Sequence, residues 1–452
     1  MQFYGGTLGS LIPFLVFLAG VSWLAISGAP DERGFWPVQL AAIAVGLLLA
    51  KNRHRYCNAL VEGMAHPIVG LMIMAWMLAG VLGTLMSATG FIQTLVWLAY
   101  KAHVSGGGYV AAAFVICCVV STSTGTSLGT ILLCGPLLYP PGGSLHAHPA
   151  MLMGAILAGA TFGDSISPMS DTTIASSGTQ NADIGGVVRS RLKYVIPAGV
   201  AAGIVLSAMG SGASSAETGV LNVVGNAQSL PMLLVPLLVV GLLLRRRHLI
   251  EGLLIGVMAS AGLGLALGLI KPSQLVYIDS THFIAKGLIL DGMQRAVGVS
   301  IFTLLLIGLV ATLKATELME RLINFARRHA HSARDAEFWI FGSVSAAVLL
   351  TTHSVVAMLT VGDFAKETGE RMGLSAYRRA NLLDMTVCTY PFALPYFIPT
   401  ILAASATASG AEFGMPKLSP WTVGIHNAYS LILFVVVIAA MVTGYGRGER
   451  AA

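Results

Sequence analysis

Charge is scarce in this chain: only 10% of its 452 residues are Asp, Glu, Lys or Arg. A soluble globular domain carries about 25%, and with 55% hydrophobic residues a water-soluble fold is excluded. Cysteine is sparse too. Cys57, Cys117, Cys118, Cys134 and Cys388 show neither metal-site nor disulfide spacing, and four lie in or beside apolar runs, where free thiols pack as small hydrophobes. No H-E-x-x-H, G-x-S-x-G or nucleotide-binding loop occurs, so the reading is of a protein that is not an enzyme and needs no cofactor. The first residues lack a basic segment and the first apolar run is span-length, so no cleavable signal peptide is expected. The net charge of +6 gathers in short segments between apolar runs. That is the positive-inside pattern of a bilayer protein, and no nucleic-acid partner is expected.

Long apolar runs are plentiful. Segments such as 68–86 and 249–270 are long enough to cross ~30 Å of hydrocarbon. The 52 glycines suit close helix packing and helix breaks. The fold class expected is an all-α polytopic membrane protein. About ten transmembrane helices are read, near 8–27, 34–50, 66–86, 149–180, 194–212, 230–246, 248–270, 296–313, 377–409 and 421–443. Thr316–His331 and Gly90–Lys101 read as interfacial helices.

The chain reads as two copies of one unit. Glu62-Gly63-Met64 is matched by Asp291-Gly292-Met293, Gly80 by Gly308, and Ala88-Thr89 by Ala315-Thr316. Gly135-Pro136 is matched by Gly362-Asp363, and the hydroxyl-rich Ser121–Ser127 by Thr351–Ser354. The offset stays between 227 and 230. Such weak internal symmetry marks secondary transporters. The halves expected are 1–247, with a hairpin at 109–139 and a broken helix at 149–180, and 248–452, with a hairpin at 337–364 and a broken helix at 377–409.

Loop charge orients the copies. Lys51–Arg55, Arg189–Lys193, Arg245–Arg247 and Arg447–Arg450 are read as cytoplasmic, with both termini on that side. Lys101–Ser105 and Pro140–Pro149 hold one lysine between them, whereas Arg321–Arg334 and Lys366–Arg379, their counterparts, are strongly basic. Equivalent loops then lie on opposite sides, as inverted-topology repeats require. The spans close only if both hairpins are re-entrant, with tips at Ser121–Ser127 and Thr351–Ser354.

The chemistry concentrates in Gly163-Asp164-Ser165-Ile166-Ser167-Pro168-Met169-Ser170-Asp171-Thr172-Thr173. An ionisable residue at the bilayer centre costs about 3 kcal/mol or more and usually lines an ion path. Asp164 and Asp171 are seven residues apart, two turns along one helix face, and Pro168 between them interrupts the backbone ladder. A hard cation such as Na+ favours carboxylates, hydroxyls and freed carbonyls. Candidate cation and proton ligands are therefore Asp164, Ser167, Ser170, Asp171, Thr172 and Thr173, with Asp164 and Asp171 holding Na+. A site that takes either Na+ or protons supplies the competition that exchange needs. Candidate substrate contacts at the hairpin tips are Ser123, Thr124, Gly125, Thr126, Ser127, Thr352, His353 and Ser354. Asp384, Thr386 and Thr389 are the second-half candidates, Asp384 lying in an apolar stretch near where the first half has Asp164. Tyr390, Phe392, Tyr396 and Phe397 could stack on an organic solute.

Gly163-Asp164, Ser167-Pro168 and Ser170-Asp171-Thr172-Thr173 together resemble the signature of NhaC-type sodium/proton antiporters, in the ion transporter superfamily. The similarity extends through Gly125–Thr130 and Arg189–Tyr194. It implies inverted repeats, re-entrant hairpins, an elevator-like or rocking mechanism, a homodimer, and Asp164 and Asp171 as cation and proton ligands. Two departures stand out. The family usually has lysine where this chain has Ser165, and a polar second-half stretch where this chain has Thr389–Pro395. The leading expectation is exchange of Na+ for H+ across a bacterial inner membrane. The alternative is a Na+- or H+-coupled carrier of an amino acid or small organic anion, held by hairpin-tip dipoles.

Overall fold

In hydrocarbon every backbone N–H and C=O must find a partner within its own segment, so apolar runs of this length fold as helices. The computed structural model describes residues 1–26, 32–168, 170–211, 227–245, 247–280, 284–316, 324–325, 329–352 and 354–447. The first half comprises α1 (Gly6–Ile26), α2 (Trp36–Leu49), α3 (Arg53–Met64), α4 (Pro67–Ala88), α5 (Phe91–Lys101), α6 (Gly107–Thr124), α7 (Ser127–Leu138), α8 (Pro149–Ile166), α9 (Asp171–Gln180), α10 (Ile184–Met209) and α11 (Leu234–Leu244). The second comprises α12 (Leu249–Ala266), α13 (Leu288–Lys314), α14 (Ala333–Thr351), α15 (Ser354–Arg371), α16 (Ala376–Val387), α17 (Ile398–Ala406) and α18 (Ala428–Thr443). Among the described residues the only sheet is a two-stranded antiparallel pair, Tyr277–Asp279 with Ile284–Lys286.

By length and composition, four stretches among the described residues can cross a membrane: Pro149–Gln180, Ile184–Met209, Leu249–Ala266 and Leu288–Lys314. Two bent pairs add a span each if counted whole. Ile73–Ala88 turns 67° into Phe91–Ala99, and Ala376–Ala393 turns 46° into Ile398–Phe413. The first bend suits the interfacial reading of Gly90–Lys101. Shorter apolar helices lie at Gly9–Leu24, Arg33–Leu49, Gly107–Thr122, Gln228–Leu242 and Ala428–Thr443. Each of the ten expected spans overlaps one of these stretches. The chain is an all-α, multi-pass membrane protein. Outward side chains such as Val119, Ile204, Leu237, Met258 and Val435 are apolar and exposed, as contact with lipid requires.

One order of elements occurs twice. Hairpin α6–α7 leads to α8, a break and α9; hairpin α14–α15 leads to α16, a break and α17. Each hairpin turns on a left-handed residue, Gly125 (φ 67°) in the first and Thr352 (φ 53°) in the second, 227 positions apart. Glycine adopts that conformation freely, whereas threonine is strained there by ~1–2 kcal/mol. Thr126 then caps α7, its side chain accepting the Gly129 N–H at 3.3 Å.

Packing between the halves relies on absent side chains. Gly80 of α4 and Gly292 of α13 cross so closely that a Cβ on Gly80 would collide with the Gly292 carbonyl, and one on Gly292 with the Val81 backbone. Buried α8 lies against α6 in the same way, with Gly159 and Gly163 facing the Phe114 and Cys118 carbonyls. Small residues four apart are the usual means of close approach in membranes, where lipid is as apolar as leucine.

Three expectations change. Asp164 and Asp171 do not share one helix face, because α8 ends at Ile166 and α9 begins at Asp171. Helix α10 starts at Ile184, ten residues before the expected span, because Asp183 caps it by accepting the Gly186 N–H at 2.7 Å. Arg191 is therefore a buried helical residue and not a loop charge; Arg378 and Arg379 are likewise buried, in α16. All three have partners inside the protein, so none counts toward loop charge. Most of the expected interfacial helix at 316–331 lies outside the described residues.

Candidate functional site

Both hairpin tips and both helix breaks meet at one pocket of about 130 Å³. Gly125, Thr126 and Ser127 come from the first tip, Thr352, Ser354 and Val355 from the second. The first break contributes Asp164, Ser170, Asp171 and Thr172, and the second Cys388, Phe392, Phe397, Ile398 and Pro399. Ala75 and Trp76 of α4, Leu128 and Leu132 of α7 and Leu249 of α12 complete the wall.

The break exists because of its sequence. Pro168 cannot donate a ladder hydrogen bond, and Ser167 and Ser170 both take extended backbone conformations. Ser170 does most of the local bonding. Its hydroxyl donates to Asp164 Oδ1 at 2.7 Å, accepts the Thr172 N–H at 3.2 Å, and lies 2.8 Å from Thr172 Oγ1. Asp164 is 5% exposed, whereas Asp171, at the start of α9, is open to the pocket. One carboxylate is nearly dry and the other wet.

The electrostatics follow from helix ends. The N-termini of α7, α9, α15 and α17 all contribute lining residues, and each carries a partial positive charge. Asp164 and Asp171 lie within that field. Helix C-termini reach the same pocket at Gly125, Thr352 and Cys388, bringing carbonyl groups no longer committed to a ladder. Half-helix ends of both signs around one cavity are the arrangement that binds cations and anionic groups in broken-helix transporters.

Other candidates fall elsewhere. Ser167 is fully buried and outside the pocket lining. Thr173 turns away, donating to Asp384 Oδ2 at 3.2 Å and accepting from Arg191 Nη1 at 3.0 Å. Asp384 is fully buried and pairs with Arg191 Nη2 at 2.6 Å; Ser176 donates to it at 3.3 Å. Its ion partner is thus Arg191 and not its neighbours. Arg378 pairs with Glu337 at 2.8 Å and Arg379 with Glu370 at 3.0 Å. Thr386 and Thr389 bond back to carbonyls of their own segment. Tyr396 packs on Phe14 and Phe17, and Tyr390 on Phe434, which leaves Phe392 and Phe397, of these four, to line the pocket beside Trp76. His353 and the side chains of Ser123 and Thr124 lie outside the described residues.

Residues 11–211 match the Na+/H+ antiporter family. That stretch holds the first hairpin, the first helix break and both pocket carboxylates. The malate-2H(+)/Na(+)-lactate antiporter of Bacillus subtilis is 30% identical over 196 residues, 43% of this chain and 41% of that protein. The Na(+)/H(+) antiporter NhaC of Alkalihalophilus pseudofirmus is 31% identical over 197 residues, 42% of this chain and 40% of that one. The arginine/ornithine antiporter ArcD of Halobacterium salinarum is 34% identical over 111 residues, 25% of this chain and 22% of its own. The chain thus spans about two fifths of the length of the first relatives it matches. Over this stretch the resemblance to NhaC-type Na+/H+ antiporters is borne out.

Two residues of consequence escape the sequence reading. Trp76 is one aromatic in an apolar run, with nothing to mark it as pocket lining. Arg191 could have been found, because Asp183 is a helix N-cap signal that places it on the third turn of a helix.

Proposed function

We propose that this protein is a secondary active transporter that exchanges Na+ for H+ by alternating access. The observation that carries the reading is the placement of Asp164 and Asp171 on opposite sides of a helix break, facing one pocket between two hairpin tips. Carboxylates, the Ser170 and Thr172 hydroxyls and uncommitted carbonyls form an oxygen set suited to a hard cation. A proton on the same carboxylates removes the charge that holds Na+, so the two ions compete without any further device. The family match over residues 11–211 supports the choice of ions. We place the protein in a bacterial inner membrane as a homodimer with both termini cytoplasmic, its halves arranged as inverted repeats. Na+ is cargo and not a cofactor.

A second reading rests on the aromatic lining of the same pocket. Trp76, Phe392 and Phe397 are large and apolar, and the pocket's volume of about 130 Å³ is close to the ~150 Å³ of an apolar cavity that holds a benzene-sized molecule. Together with four positive helix ends, this suits a small organic anion carried alongside the cation. The similarity to a malate/lactate antiporter points the same way.

Flux in proteoliposomes separates the two. In the exchange reading, Na+ alone discharges an imposed pH gradient and no solute alters the rate. If Na+ alone does nothing while one organic or amino acid accelerates flux, the carrier reading replaces it.

A further inference from the structure

Arg191 reaches inward from α10 and is 1% exposed. Each of its three guanidinium nitrogens meets a neighbour, Nη2 through an ion pair alone. Nη1 donates to the Ser165 carbonyl at 2.8 Å and to Thr173 Oγ1 at 3.0 Å. Nε donates to Asn381 Oδ1 at 3.0 Å, and Nη2 pairs with Asp384 Oδ2 at 2.6 Å. Ser165 follows Asp164 in the last turn of α8, and Thr173 lies two residues after Asp171 in the first turn of α9. One planar group therefore grips both sides of the first helix break and fastens them to α16, just ahead of the second.

We propose that Arg191 is the positioning residue of the cation site, setting the separation of Asp164 and Asp171 through Ser165 and Thr173. It lines no part of the pocket, and its hydrogen bonds and ion pair go to Ser165, Thr173, Asn381 and Asp384. Asp384 serves as its anchor. A tethered cation holds that carboxylate, which is thereby closed to Na+. The task needs a rigid fork: guanidinium presents donors in fixed directions, whereas the lysine ammonium is a point charge on a flexible stem. Neutralising Asp384 would need only a charge. Spanning a helix break and reaching a second helix needs the fork.

The test rests on Na+ being the ion of the site, so binding is measured apart from transport. Purified full-length protein in detergent is titrated with Na+, with thermal stability as the readout, and the same preparations are assayed for proton flux. Arg191→Lys keeps the charge that neutralises Asp384 and loses the fork. Arg191→Met with Asp384→Leu removes both charges together and leaves none buried alone, which single removal would do. Changes to groups that orient ion ligands typically cost about 10–100-fold in affinity. We expect both variants to fold, to bind Na+ about 10–100-fold more weakly, and to retain proton flux once Na+ is raised to saturation. Wild-type Na+ affinity in Arg191→Lys overturns the proposal, since charge alone then suffices. So does aggregation of both variants, which assigns the pair to folding only. Na+ binding by the wild type without proton flux would leave this proposal standing and remove the exchange reading. Absence of Na+ binding by the wild type would remove both.

Discussion

Replacing Asp164 by asparagine tests the exchange reading most directly, because the side chain is nearly isosteric and its surroundings are explicit. The carboxylate is 5% exposed and accepts the Ser170 hydroxyl at 2.7 Å. An amide oxygen accepts the same hydroxyl, so the break keeps its geometry while the charge disappears. At an effective dielectric of about 20, unit charges about 4 Å apart attract by about 4 kcal/mol. Losing that attraction weakens cation binding about a thousandfold, since each 1.4 kcal/mol is worth about tenfold. Folding moves the other way: a buried charge no longer has to leave water, so thermal stability in detergent holds or rises. The assay is Na+-driven collapse of a pH gradient in proteoliposomes, beside a melting curve for the same preparation. Asp164→Asn should melt at or above the wild-type temperature and show no coupled flux at Na+ concentrations that saturate the wild type. A folded mutant exchanging at close to the wild-type rate would refute the assignment of this carboxylate.

Asp171→Asn should cost less. Asp171 opens to the pocket, where a dielectric nearer that of water reduces the interaction to about 1 kcal/mol, about fivefold in apparent Na+ affinity; equal losses in the two mutants would contradict the dry-and-wet distinction. With Na+ varied at each pH, lowering the pH should raise the apparent KM for Na+ and leave the maximal rate unchanged, because protons and Na+ compete for the same carboxylates; a fall in maximal rate at constant KM would exclude a shared site. Gly292→Ala places a Cβ against the Val81 backbone, where no side chain can swing aside, and should destabilise the protein by about 1–3 kcal/mol as a lowered melting temperature, with Na+ affinity unchanged. For topology, single cysteines near Ser144 and near Ser375, in a background with exposed Cys57 replaced, should label from outside and inside respectively; labelling from one side only would end the inverted-repeat reading.

What the sequence by itself determined lies close together along the chain. Pro168 with its flanking serines specifies a break wherever the helix lies, since the missing N–H is a property of the residue itself. Gly125 among hydroxyls marks a hairpin tip for the same local reason, and apolar runs the length of a bilayer can only be helices. Even the relation between the two tips was legible, as an offset of 227 to 230 residues shared with the other matched segments. Tertiary structure decided which of these pieces meet. Asp384 reads as the second-half counterpart of Asp164, yet Arg191, distant in sequence, occupies its carboxylate and keeps it from the pocket. Arg191 itself reads as one of a cluster of loop charges. Its burial follows from where α10 begins and from the hydrogen bonds that Asn381 and Thr173 offer across 190 and 18 residues. A buried charge is tolerated only where such partners converge, and convergence is a property of packing that linear spacing does not carry. The same holds for Trp76, one aromatic in a membrane span until α4 crosses the pocket and turns that face of it inward.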